Sequence, residues 1–96
     1  MTTPQRSLSP IVLFVYNRLE HTKQTIDALV KNDLAAQSEL FIYSDGPKNK
    51  DSQQAVLEIR NFLQTISGFK KVVIIERETN WGLAASIIDG VTKIVY

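Results

Sequence analysis

Arg18, Asp45 and Tyr16 stand at the ends of apolar runs in this chain, where a folded protein can use a polar or aromatic side chain for chemistry. The Arg18 guanidinium is a fixed cation whose forked N–H groups match phosphate oxygens; its plainer role is a surface ion pair with Glu20 or another nearby acid. Asp45 accepts only, once ionised, so it can take an N–H from a base or a hydroxyl from a ribose. Equally, it can shape the turn Ser44-Asp45-Gly46-Pro47 by bonding its own following backbone. Tyr16 offers a ring for a base to stack on, or a plug that closes the core. Trp81 has the same two roles, and packing between a strand and a helix is the one expected of it. His21 has no nucleophile beside it and reads as a solvated helix residue, because catalysis needs a constellation of groups.

Three apolar runs must position these groups. Residues 10–16 (Pro-Ile-Val-Leu-Phe-Val-Tyr) run as an uninterrupted β-branched and aromatic stretch, without a charged side chain, into Asn17-Arg18-Leu19-Glu20. Successive strand side chains face opposite sides of a sheet, so such a run needs cover on both faces and belongs in the interior of a parallel sheet. Residues 40–43 (Leu-Phe-Ile-Tyr) form a second run, stopped by the turn at Asp45, and residues 71–76 a third. Between them, residues 20–32 read as a helix with Ile26, Leu29 and Val30 on one face. Val56, Ile59, Leu63 and Ile66 mark a second helix, with Asp51 as its cap and Gly68 as its stop. Residues 82–96 read as a third, with Leu83, Ile87, Val91 and Ile94 as its apolar side. The order β-α-β-α-β-α predicts an α/β fold of three layers with a parallel sheet and right-handed crossovers. All strand exits then lie along one edge, where ligands of such sheets bind.

Composition narrows the function classes. With 96 residues the chain holds one core, and a net charge of +1 supplies no field for nucleic acid. The absence of cysteine excludes thiolate metal sites and thiol nucleophiles. Residues 1–9 are polar and read as a flexible lead-in, and no apolar run reaches the ~20 residues of a membrane span. The reading is a cytoplasmic chain, or part of a membrane-peripheral parent. There is no G-x-x-x-x-G-K-[ST] loop, no G-x-G-x-x-G turn after the first strand and no G-x-S-x-G elbow.

Taken together, the exits Val15-Tyr16-Asn17-Arg18, Ser44-Asp45-Gly46 and Asn80-Trp81-Gly82-Leu83-Ala84, followed by Gly90, resemble the N-terminal half of nucleotide-sugar glycosyltransferases of the GT-A fold, family 2-like. The resemblance covers residues 10–96 and implies a Rossmann-like half with strand order 3-2-1. It implies that Tyr16 lies against the base, that Asp45 accepts from the base or ribose, and that Arg18 approaches the diphosphate, with Asn17 beside it. The resemblance also implies that Asn80 and Gly82 shape the pocket wall. The implied ligand is a nucleotide-diphosphate sugar, a UDP-sugar first among them. Ile87 and Ile88 depart from the Arg-Asn pair that many members carry. The implied metal, manganese or magnesium, is held in the family by a D-x-D or E-D-D cluster ending the fourth strand, and neither cluster occurs in residues 1–96. On this reading the chain is a nucleotide-binding part, truncated before the metal motif, with no catalytic residue and no transfer activity of its own.

Two readings compete with it: a non-catalytic interaction domain of receiver or flavodoxin type, and a nucleotidyltransferase fragment. A receiver would cluster acids after its first strand, where Asn17 and Arg18 stand, and the nucleotidyltransferase's glycine-rich loop is missing. Without a fourth strand, residues 11–16 would form a bare apolar edge, which predicts self-association through that strand or through a bared core face.

Overall fold

β1 (Ile11–Val15) is buried at all five of its residues, as an unbroken apolar run requires. The computed structural model describes residues 10–82 and 91–96. β1 pairs in parallel with β2 (Glu39–Ser44) on one side and with β4 (Val91–Ile94) on the other, and β2 pairs in parallel with β3 (Lys71–Glu76). The sheet order is β3-β2-β1-β4. Its first three strands follow the expected order 3-2-1.

The register divides the side chains between two faces. Ile11 lies opposite Leu40, Leu13 opposite Ile42, and these in turn opposite Val72 and Ile74. With Val15 they form one face, against which α1 (Leu19–Val30) packs Ile26 and α2 (Lys50–Leu63) packs Ile59 and Leu63. Both helices therefore cover the same face, as successive right-handed crossovers in one direction demand. The opposite face carries Val12, Phe14, Phe41, Tyr43, Val73 and Ile75, with Phe14 and Tyr43 stacked at 5.1 Å between centroids. Among the described residues no α-helix covers this second face, so the described part has two layers where three are expected.

The helix ends differ in their chemistry. α1 starts behind Arg18 without a side-chain cap, and Thr22 donates its hydroxyl back to the Arg18 carbonyl at 2.7 Å. α2 is capped by Asn49, which accepts the Ser52 N–H at 3.0 Å, and Asp51 lies in the first turn instead of at the cap. An extended Asn three residues before that N–H satisfies an orphan donor that Asp51, already helical, cannot reach. Gly68, with φ of 95°, turns the chain toward β3 several residues after α2 has ended at Leu63.

Two expectations are corrected by β4. The helix read over residues 82–96 falls outside the described residues at 83–90, and its last part is a strand. Val91, Thr92, Ile94 and Val95 are β-branched and favour an extended backbone, while the spacing of Val91 and Ile94 alone fits either structure. The second correction concerns β1: it is an interior strand and not an exposed edge, because β4 takes up its free N–H and C=O groups. Self-association through a bare first strand is thereby removed.

Candidate functional site

The chain runs from β1 to β2 to β3 in one direction and then returns to place β4 on the far side of β1. That reversal is a topological switch point, where the crevice beyond the carboxyl ends of the strands receives ligands. The exits of β1 and β4 meet there. Arg18, His21, Thr25 and Tyr96 line a cleft of about 290 Å3 at this place. Asn17 and Arg18 are exposed, and the Arg18 side chain bonds none of the described residues; Glu20, its expected partner, lies 4.0 Å from Lys23 instead.

Asp45 is buried at the exit of β2, only 3% exposed, and both of its carboxylate oxygens are occupied. Oδ1 accepts the N–H groups of Gly46 at 2.9 Å and Trp81 at 2.8 Å, while Oδ2 accepts the Gly82 N–H at 3.0 Å and the Tyr96 hydroxyl. Burial by itself would raise the Asp45 pKa. The hydrogen bonds from Tyr96, Trp81, Gly46 and Gly82 outweigh it and hold the group below its ordinary value. The partner responds oppositely: burial and the Asp45 bond push the Tyr96 hydroxyl up to about 12.

Asn80 completes the wall. Its Nδ2 donates to the Gly46 carbonyl at 3.0 Å and its Oδ1 accepts the Gly82 N–H at 3.1 Å. Gly82 adopts a φ of 71°, which suits a residue without a Cβ. The Tyr16 ring is buried and stacks on Tyr96, with centroids 5.2 Å apart. Its hydroxyl donates to Ser52 Oγ at 2.9 Å and accepts the Lys48 N–H at 3.1 Å, fixing the loop between β2 and α2. Tyr16, Asp45, Asn80 and Gly82 thus belong to one bonded cluster with Tyr96, and Arg18 borders it across the cleft.

Several participants escape a reading of the sequence. Tyr96 falls within the expected third helix, where nothing marks it for Asp45. Trp81 is 61% exposed, contrary to the packing role expected of it, and its ring lies under the Arg77 guanidinium at 4.3 Å. Arg60, on α2, reaches the ends of both β2 and β3. A signal for it exists: residues 56, 59, 60 and 63 have the i, i+3, i+4, i+7 spacing of a buried stripe, so Arg60 is a cation where an apolar residue is expected.

The family model described as glycosyl transferase family 2 matches residues 11–94. This chain belongs to glycosyl transferase family 2. No curated protein and no solved structure gives a match. Family membership agrees with the parallel α/β sheet and sets aside the receiver, flavodoxin and nucleotidyltransferase readings. As a family 2 chain it has a glycosyltransferase-type function. Among the described residues no three His, Cys, Asp or Glu side chains come together to hold a metal ion. No described helix is long and apolar enough to cross a membrane.

Proposed function

We propose that the carboxyl edge of the sheet binds the nucleotide diphosphate of an activated sugar, UDP being the first candidate, for transfer to an acceptor in glycan or cell-surface polysaccharide synthesis. The observation that carries this reading is Arg18, an exposed guanidinium beside the cleft at the switch point of a family 2 chain. It adjoins the first turn of α1, whose unpaired N–H groups favour an anion. In this arrangement Arg18 takes the diphosphate and Asn17 flanks it. Tyr16 and Asp45 take the base or ribose, and Asn80 and Gly82 hold the wall. The two groups meant for the base are engaged by Tyr96, which stacks on Tyr16 and donates to Asp45, so the nucleotide enters as Tyr96 swings aside. The role of these residues is recognition. No transfer step is assigned to them.

The variant Arg18→Ala tests the reading cleanly, because the Arg18 side chain bonds none of the described residues and its loss leaves the fold intact. Calorimetric titration with UDP is expected to show binding to the parent chain and a tenfold to hundredfold weaker affinity in Arg18→Ala, about 1.5 to 3 kcal/mol for a charge-assisted bond. Equal affinity in the two proteins would sink the assignment of Arg18 to phosphate.

A further inference from the structure

β2 and β3 end side by side, and their last carbonyls point toward a single cation. Arg60 Nε donates to Ser44 Oγ at 2.9 Å, and Nη2 donates to the carbonyls of Ser44 at 3.1 Å, Asp45 at 3.3 Å and Arg77 at 2.7 Å. Nη1 lies 3.9 Å from Glu76, and the Arg60 side chain is only 18% exposed. The nucleotide reading proposed above gives Arg60 no role. On the other side of the same junction, the Asp45 carboxylate gathers the N–H groups of Gly46, Trp81 and Gly82. A cation that binds carbonyls and an anion that binds amides therefore clamp the same two strand exits, with the Asp45 backbone between them.

We infer that Arg60 is the positioning residue of the nucleotide pocket: its fork fixes the main chain at Asp45 and Arg77, and thereby sets the Asp45 carboxylate and the loop of residues 77–82 in register. This rests on the proposed binding of a nucleotide at Asp45. The role requires the guanidinium plane. Nη2 alone meets the carbonyls of Ser44, Asp45 and Arg77, while Nε meets Ser44 Oγ; a lysine ammonium is a single nitrogen on a flexible stem, so it has no second nitrogen for Ser44 Oγ and no rigid fork to hold the two strand ends in one plane. A purely structural arginine would stabilise the whole chain evenly; a positioning arginine acts on the amides that face Asp45.

Amide hydrogen exchange on the full chain separates the two. In Arg60→Lys the Trp81 and Gly82 amides are expected to exchange at least about tenfold faster relative to the buried amides of β1, and UDP affinity is expected to fall about tenfold. Ser44→Ala, which removes only the Nε acceptor, provides a milder variant should Arg60→Lys fail to fold, and is expected to shift the same two amides by a smaller factor. Unchanged relative exchange at Trp81 and Gly82, or a uniform loss of protection through β1 as well, would overturn the inference. Should UDP fail to bind even the parent chain, the nucleotide reading falls, while the exchange pattern still decides whether Arg60 positions Asp45.

Discussion

Gly46→Ala is expected to lower the melting temperature by about 12 to 24 °C, corresponding to about 3 kcal/mol in a domain of this size. A Cβ on residue 46 would stand 2.6 Å from the Thr79 carbonyl carbon, 2.7 Å from its oxygen and 2.8 Å from the Arg77 oxygen. All three are backbone atoms, and the strand exits that carry them cannot rotate away as a flexible side chain can. The Gly46 N–H donates to the Thr79 carbonyl at 3.3 Å, and the Gly46 carbonyl accepts from Asn80, so relief by moving the loop breaks both bonds. Since native domains hold only about 5 to 15 kcal/mol in all, the loss is a large share. Thermal unfolding followed by circular dichroism measures it. A shift of less than about 3 °C would mean that the loop of residues 77–82 does not close over Gly46.

The second large effect belongs to Asp45. Asp45→Ala leaves the Trp81 N–H and the Tyr96 hydroxyl without their carboxylate, while the Gly82 N–H keeps only Asn80 Oδ1, and a donor left unsatisfied away from water costs about 1 to 3 kcal/mol. Such losses within one network do not add fully, so about 2 to 4 kcal/mol is expected at neutral pH. The pH dependence follows from the direction of the shift. The folded-state pKa lies below the ordinary 3.8, so the stabilisation is complete above that value and is lost as pH falls through the lower, folded-state one. Urea unfolding from pH 7 down to pH 2 should show an acid-dependent loss in the parent chain that is reduced in Asp45→Ala. If the two chains have equal stability at pH 7, the carboxylate does not hold the loop.

Much of this architecture can be read from residue type alone. A run such as Ile11-Val12-Leu13-Phe14-Val15 has no polar side to offer solvent, so its interior position follows directly, and Asp45-Gly46-Pro47 ends its strand by backbone chemistry. Val56, Ile59 and Leu63 are buried as their spacing requires. Where the reading fails, the deciding partner is distant in sequence. Residues 91–94 satisfy a helical spacing and a strand propensity together, and it is the open side of β1 that selects the strand. Asn49 and Asp51 both have side chains that can cap a helix, and the backbone conformation selects Asn49. Arg60 and Tyr96 are intelligible only once the strand ends that they bond have been brought side by side.

The proposed site on the carboxyl edge, common to Arg18, Asp45 and Asn80, is tested most directly by mapping backbone amide shifts during titration of the full chain with UDP. Saturable changes are expected at residues 16–18, 45–46 and 80–82, with Tyr96 moving alongside them as its ring leaves Tyr16. No saturable change up to millimolar UDP would contradict the account, as would changes confined to the groove between the helices at Lys23, Asp27, Phe62 and Ile66.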